Sequence, residues 1–132
     1  MHQFPIRVYY EDTDAGGVVY HANYLKFAER ARTEALRQVG ISQQELLATH
    51  KIAFAVRTCH IEFFKPARLD DLLTIESHLD DSGSASLDMS QTIKKDDDIL
   101  VTLSIRLAVV GDGMKPTRLP QEIKDKIQSI FQ

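Results

Sequence analysis

The chain has 132 residues, enough for one domain with a single hydrophobic core. Hydrophobic residues make up 43% and charged residues 27%, which is typical of a soluble globular protein and excludes a disordered one. The net charge is −3 and no basic stretch is present, so the sequence offers no electrostatic surface for nucleic acid. We expect residues 1–132 to form one domain.

The sequence gives no sign of export or of membrane insertion. The start lacks a charged region followed by a long apolar stretch, so we expect no signal peptide. The densest apolar segment, residues 99–110, carries Arg106 and is too short to span a bilayer. Cys59 is the only cysteine and cannot form an internal disulfide, which favours a reducing compartment. We therefore expect a cytoplasmic protein with no transmembrane segment.

The first elements in chain order are a strand, a loop and a long helix. Alternating apolar residues predict a strand over residues 4–10, and an acidic, glycine-containing loop follows over residues 11–17. Apolar residues then recur at helical spacing over residues 23–39, with Asn23 placed to serve as the N-cap. The apolar stripe of this helix consists of Tyr24, Phe27, Ala28, Ala31, Ala35 and Val39. Its small central residues would let a sheet approach the helix closely.

The rest of the chain predicts four strands between two shorter helices. Gly40 is placed to end the long helix, and Ser42 with Glu45 has the form of a capping box that opens a short helix to about residue 51. Strands are predicted over residues 52–64, 72–79, 85–93 and 99–110, with a turn at residues 80–83. Pro120 begins a last helix with Ile123, Ile127 and Phe131 inward. This order predicts an α+β fold, with an antiparallel sheet against a long helix.

The segment before the long helix combines residues that could carry out acyl transfer. Asp14 precedes Gly16 and Gly17, which permit close backbone approaches. Next, the helix N-terminus presents unpaired N–H groups and a partial positive charge. A carboxylate would thus lie near donors able to stabilise an oxyanion, and His21 could add a general acid or base. An ordinary solvated turn has the same composition, so the residues alone leave both interpretations open.

Two segments resemble the hotdog-fold acyl-CoA thioesterases of the 4-hydroxybenzoyl-CoA thioesterase superfamily. DTDAGGVVYHANYLKFAERAR, residues 12–32, is similar to the N-terminal motif of the family and is closest to its Tol-Pal-associated branch. FFKPARLDD, residues 63–71, resembles the family's entry into its third strand. The resemblance implies a hotdog fold, in which an antiparallel five-stranded sheet wraps around a long central helix.

The resemblance also implies the roles of individual residues. Asp14 would be the catalytic carboxylate, either activating water or attacking the thioester carbonyl, and His21 would be a second active residue. The backbone N–H at or next to His21 would polarise the carbonyl oxygen. The positions implied to bind substrate are Gly17, Val18, Tyr20, Asn23 and Tyr24, although the two tyrosines are equally compatible with core packing. The pair His21-Ala22 departs from the aromatic-proline pair of the hydroxybenzoyl branch, which implies an aliphatic acyl group.

The partners implied by the resemblance are an acyl-CoA or acyl-carrier-protein substrate and a second copy of the chain. Hotdog domains pair through their sheets, so a homodimer or homotetramer is expected. No metal or redox cofactor is required. Two other functions stay open from the sequence: a hotdog dehydratase or hydratase acting on acyl thioesters, and a non-enzymatic module that binds acyl-carrier protein or an envelope-assembly partner.

The remaining chemically active side chains are expected to be structural or solvated. Alternation along its strand predicts that Cys59 is a buried small hydrophobe. Glu11, Asp12 and Glu29 are expected to be mostly solvated surface charge. The histidines show no metal-ligand spacing, so no metal site is predicted. The cations available for coenzyme A phosphates are Arg57, Lys65, Arg68, Lys94 and Lys95, with no basis in the sequence for choosing among them.

Overall fold

The computed structural model describes residues 1–132 as one antiparallel sheet with three helices. The strands are β1 His2–Arg7, β2 Ala53–Phe63, β3 Leu72–Ser82, β4 Ser86–Lys95 and β5 Asp98–Val110. The helices are α1 Asn23–Gln38, α2 Gln43–His50 and α3 Gln121–Phe131. The five strands lie in the order β1-β3-β4-β5-β2, and every neighbouring pair is antiparallel. The predicted α+β class and antiparallel sheet are confirmed. None of the helices combines the length and apolarity needed to cross a bilayer.

Helix α1 packs on one face of the sheet through small residues. Ala28, Ala31 and Ala35 have no exposed surface. With only a methyl group at each position, the helix backbone can approach the strands closely, as its sequence predicted. Phe27 fills the space beside them and is also fully buried. The inward residues of α3 predicted from the sequence are buried as expected: Ile123, Ile127 and Phe131.

Polar side chains beneath α1 form a hydrogen-bonded network within this apolar core. Gln91 of β4 donates from Nε2 to the carbonyl of Ala28 and to Oγ of Ser77, at 3.0 Å each. Its Oε1 accepts a hydrogen bond of 2.8 Å from Nη1 of Arg32. Because these polar groups satisfy one another, the network fixes α1 on the sheet without leaving the amide unpaired.

The turn after α1 has the local chemistry that the sequence predicted. Gly40 adopts a φ of 80°, and Ile41 donates its N–H to the carbonyl of Leu36. This pattern is a Schellman motif, in which glycine supplies the left-handed residue. Ser42 then caps α2 by accepting the N–H of Glu45. Both predicted helix boundaries are therefore confirmed.

The largest differences from the predicted strand boundaries, three residues each, are at the ends of β1 and β3. The first strand ends at Arg7 rather than residue 10, because the chain next forms a short 3₁₀ turn over Tyr10–Asp12. Strand β3 continues through the acidic segment that was predicted as a turn. Asp81 pairs with Asp88 there, after an irregularity in the ladder that accommodates the polar residues.

Strand β2 lies at one edge of the sheet and leaves its inward side partly uncovered. Cys59 pairs with the buried Ile105 and so faces inward, as the alternation predicted, but it is exposed rather than buried. The prediction was wrong because β2 is an edge strand: β5 flanks it on one side, and no element lies along its free edge to shield the inward side chains from solvent. Val56 and Phe63 on the same inward side are 55% and 49% exposed.

The loop between β2 and β3 is held by Asp71. Its carboxylate accepts hydrogen bonds from the backbone of Arg68 at 2.8 Å and from Nζ of Lys95 at 2.9 Å. Partial burial acts against ionisation, but these donors and the charge of Lys95 outweigh it and lower the pKa of Asp71. The ionised carboxylate therefore stabilises the folded loop.

We expect Asp71→Asn to lower the melting temperature near neutral pH. Because the folded state depresses the pKa of Asp71, the stabilisation is present above the unfolded-state pKa and disappears as the pH falls through the folded-state pKa. Thermal denaturation across pH should thus show the variant and the wild type converging in acid. Asp97→Asn, at an exposed turn position, is the control. A gap that is constant with pH would contradict this role for the charge.

Candidate active site

The loop before α1 is built around Asp12, which is only 8% exposed. Its Oδ2 accepts the N–H of Tyr9 at 2.8 Å. Its backbone carbonyl accepts both the N–H of Tyr20 at 3.0 Å and Nδ2 of Asn23 at 2.9 Å. The prediction that Asp12 is solvated was wrong, because this side chain closes the 3₁₀ turn. Glu11 beside it is exposed as expected.

Asn23 does not act as the N-cap of α1. The preceding residue, Ala22, occupies the cap position and makes no side-chain hydrogen bond. The Asn23 amide instead reaches back to the carbonyl of Asp12, and its own N–H donates to the carbonyl of Tyr20 at 2.8 Å. Asn23 therefore ties the start of the helix to the loop that carries Asp14.

Asp14 is exposed, and its carboxylate organises the turn that follows it. Oδ1 accepts the N–H of Gly16 at 2.8 Å and, more weakly, that of Val18 at 3.4 Å. The backbone N–H of Asp14 donates to the carbonyl of Val18 at 2.8 Å. The second carboxylate oxygen, Oδ2, makes no hydrogen bond within the chain. One oxygen thus holds the turn while the other is available to a ligand.

The two glycines are needed for different reasons. Gly17 has a φ of 79°, a conformation that L side chains rarely adopt, although the space around it is open. A Cβ on Gly16 would lie 3.3 Å from Oδ1 of Asp14. Gly17 therefore permits the turn, and Gly16 permits the close approach to the carboxylate.

Residues after the turn pair with the loop between β2 and β3. Val18 forms an antiparallel bridge with Arg68, and Val19 donates its N–H to the carbonyl of Ala67 at 2.9 Å. The N–H of Ala67 in turn donates to the hydroxyl of Tyr24 at 3.0 Å. The site is therefore held between two segments that are distant in sequence.

Tyr24 lies beneath the site rather than on its surface. The residue is 3% exposed, and its ring contacts those of Phe27 and Phe63 at centroid distances of 6.1 and 5.7 Å. Burial raises the pKa of its hydroxyl, the N–H of Ala67 acts in the opposite direction, and the nearby Asp14 charge adds to the increase. Tyr24 therefore supports the loop as a neutral hydrogen-bonding group.

The entry to α1 presents two unpaired donors and two exposed rings. The backbone N–H groups of His21 and Ala22 donate to no acceptor within the chain. The His21 ring lies 4.5 Å from that of Tyr20 and 6.4 Å from that of Phe63, measured between centroids. His21 and Tyr20 are both exposed. A ligand carbonyl at this position could thus meet backbone donors at the positive end of a helix.

The structure brings all seven sequence-predicted site residues into one loop-and-helix segment. It adds Asp12, Phe63 and Ala67, which the residue-by-residue reasoning did not assign to the site. The segment FFKPARLDD was noted for its resemblance, but no local pattern indicated that Ala67 would pair with Val19. In chemical terms the site offers a free carboxylate oxygen, unpaired backbone donors and an imidazole, which is a set suited to attack on a carbonyl group.

Comparisons with known proteins identify the family of this chain. The family model described as the thioesterase superfamily matches residues 16–102, and the chain belongs to that family. It is 47% identical to the acyl-CoA thioesterase YbgC of Haemophilus influenzae over 122 residues, which cover 92% of this chain and 90% of that protein. Identity to the acyl-CoA thioester hydrolase YbgC of Escherichia coli is 48% over 123 residues, or 92% and 91% of the two chains.

A solved structure confirms the fold. A probable thioesterase from Bartonella henselae superposes with a TM-score of 0.87 at 42% identity, covering 90% of this chain and 98% of that one. The predicted hotdog fold and the membership of the thioesterase family are therefore confirmed. The cytoplasmic location and the Tol-Pal association stay predictions.

Replacement of Asp12 should destabilise the loop. We expect Asp12→Ala to cost about 1–2 kcal/mol of folding free energy, because the N–H of Tyr9 loses its acceptor in a partly buried hydrogen bond that closes the turn. Glu11→Ala, one residue earlier and exposed, should change stability little and serves as the control. Urea denaturation of the three proteins measures the difference. Equal midpoints for both variants would contradict the structural role of Asp12.

Proposed function

We propose that this protein hydrolyses acyl-CoA thioesters to a carboxylic acid and coenzyme A, with Asp14 as the reacting carboxylate. The observation that carries the proposal is that one loop contains both a carboxylate oxygen without a hydrogen bond, Oδ2 of Asp14, and two backbone N–H groups without an acceptor, those of His21 and Ala22. The relatives from Haemophilus influenzae and Escherichia coli are an acyl-CoA thioesterase and an acyl-CoA thioester hydrolase, which supports this substrate class.

The backbone donors would act on the carbonyl oxygen of the thioester. When a nucleophile adds to the carbonyl carbon, negative charge develops on that oxygen, and fixed N–H dipoles stabilise it without reorganisation. The macrodipole of α1, a helix of 16 residues, adds a partial positive charge at the same end. His21 and Ala22 therefore supply the oxyanion site through their main chain.

Asp14 can act by either of two routes. As a general base it takes a proton from water while the water oxygen bonds to the carbonyl carbon; the tetrahedral intermediate then collapses, the C–S bond breaks, and the sulfur receives the proton. As a nucleophile its Oδ2 bonds to the carbonyl carbon and expels the thiolate, and water hydrolyses the resulting anhydride. In both routes Oδ1 can keep its hydrogen bond to Gly16. The exposed imidazole of His21 would give a proton to the leaving thiolate.

The ion pairs narrow the choice of cation for the coenzyme A phosphates. Lys65, Lys94 and Lys95 are each paired with an acid, at 3.3, 3.5 and 2.9 Å. Arg57 and Arg68 make no side-chain ion pair, and of these two only Arg68 has a backbone that bridges Val18 at the site. We therefore assign Arg68 as the first candidate for a substrate phosphate. An acyl-carrier protein presents the same thioester, and the two carriers can be compared in one assay.

The edge strand β2 supports assembly through a second copy of the chain. It has 11 residues and pairs on one side only, which leaves a row of unpaired backbone groups. The opposite edge strand, β1, has only 6 residues. The inward side of β2 also exposes apolar surface at Val56 and Phe63, and Phe63 adjoins His21. A homodimer joined through β2 would cover this surface and enclose the exposed site.

Asp14→Asn should abolish most turnover without unfolding the protein. The amide oxygen of the substituted side chain can still accept the N–H of Gly16, so the loop and the melting temperature should change little, whereas the base or nucleophile is lost. We expect thiol release from straight-chain acyl-CoAs to fall by about a hundredfold or more. Asp12→Asn is the matched control at a structural carboxylate. Retained turnover in a folded Asp14→Asn protein would rule out the proposed chemistry.

A charge on the inward side of β2 should disrupt the dimer. We expect Cys59→Lys to convert a dimer into a monomer, because the introduced ammonium group would be buried where two apolar surfaces meet. Light scattering coupled to size exclusion measures the mass. Ser104→Lys, at an exposed position of β5, is the control. A wild-type monomer, or a Cys59→Lys protein of unchanged dimer mass, would count against assembly through β2.

A further inference from the structure

We propose that Arg32 sets the upper limit on the acyl chain, by closing the far end of an apolar seam that begins at the catalytic loop. The seam is the space between α1 and the inward side of β2. The proposal rests on the thioesterase function above and adds to it the residue that selects among aliphatic substrates by length.

The seam starts at the site itself. Phe63, at the end of β2, lies near the rings of His21 and Tyr24. Ile61 and Cys59 follow on the same side of the strand, since each pairs with a buried residue of β5. Val56 continues this side beyond an irregularity in the ladder. A chain leaving the thioester carbonyl can therefore follow these apolar side chains of β2, and the partner subunit of the proposed dimer would close the outer side.

Arg32 lies where the seam ends. At Val56 the space between α1 and β2 widens into a groove of about 270 Å³, which Val56 lines together with Arg32, Glu29 and Phe54. On the other side of the guanidinium a cavity of about 20 Å³ lies in the core, and most of its lining is apolar. The residues that line both spaces are Arg32, Leu36, Phe54 and Leu107. The Arg32 side chain thus forms part of the wall between the open groove and the apolar interior.

The hydrogen bonds of Arg32 keep this wall in place. Arg32 is 9% exposed, and its Nη1 donates a hydrogen bond of 2.8 Å to Oε1 of Gln91. Gln91 is in turn hydrogen-bonded to the carbonyl of Ala28 and to Oγ of Ser77. No carboxylate lies within ion-pair distance of the guanidinium, so its charge is poorly compensated. Burial lowers the pKa of Arg32, and the nearby Glu29 acts in the opposite direction. An alkyl chain placed against this cation would remove its remaining solvation without supplying an acceptor.

The position of Arg32 defines the reach of the substrate. Arg32 follows Asn23 by nine residues, or about 13 Å along α1. Acyl chains that end within this distance gain affinity from each methylene they bury. A longer chain meets the guanidinium and must displace it or bend into solvent. The affinity gained per methylene should therefore vanish beyond this point.

The first experiment compares the chain-length profiles of variants. Arg32→Met removes the charge but keeps an unbranched side chain of similar length, and Arg30→Met makes the same change on the exposed side of α1. We expect the ratio of kcat/KM for long over short straight-chain acyl-CoAs to rise about tenfold in Arg32→Met, which two further buried methylene groups would supply. Arg30→Met should keep the wild-type ratio. An unchanged ratio in an active Arg32→Met enzyme would overturn the proposal.

A second experiment uses only the wild-type protein, so it tests the proposal even if the Arg32→Met protein does not fold. Calorimetric titration with S-alkyl-coenzyme A thioethers of increasing length, which cannot be hydrolysed, should show affinity rising per methylene and then reaching a plateau. An affinity that rises evenly through the longest chain would overturn the role of Arg32. The two proposals fail separately. Absence of thiol release from every acyl-CoA would refute the thioesterase function. In an active enzyme, an affinity for the thioethers that never reaches a plateau with chain length would refute only the length limit.

Discussion

The site depends on the hydrogen bonds that the backbone carbonyl of Asp12 accepts. By receiving the N–H of Tyr20 and the amide of Asn23, this one oxygen joins both ends of the segment that contains Asp14 and His21. The pairing of Val19 with Ala67 then fixes the segment against the rest of the domain. Without these bonds the carboxylate and the donors at the start of α1 would move independently, and the orientation needed for attack on a carbonyl would be lost.

In the proposed chemistry the two carboxylate oxygens of Asp14 have different roles. Oδ1 is committed to the turn through Gly16, which fixes the direction of the carboxylate, and Oδ2 is left for water or substrate. A side chain that holds its own loop needs no neighbouring residue to orient it. This carboxylate is exposed in the single subunit, and the proposed dimer would enclose it by covering the β2 edge. The same assembly would turn the seam that ends at Arg32 into a channel.

Local patterns predicted the features that are local in origin, and the errors arose from contacts between distant residues. The Gly40 turn and the Ser42 cap each involve neighbours in sequence, and both were predicted correctly. The class and the antiparallel sheet also followed from periodicity. The roles of Asn23 and Ala67 depend on partners that no local rule identifies. The inward direction of Cys59 was predicted, but its exposure depends on strand order, which alternation does not reveal.

In the proposed mechanism the main chain at His21 and Ala22 polarises a thioester carbonyl held beside Asp14. The most direct measurement is the infrared stretching frequency of a ¹³C-labelled thioester carbonyl in an acyl-CoA bound to Asp14→Asn protein. Hydrogen bonds from the helix N-terminus would weaken the C=O bond, so we expect a lower frequency than for the same thioester in an aprotic solvent. A bound carbonyl that absorbs at the aprotic-solvent frequency would contradict it.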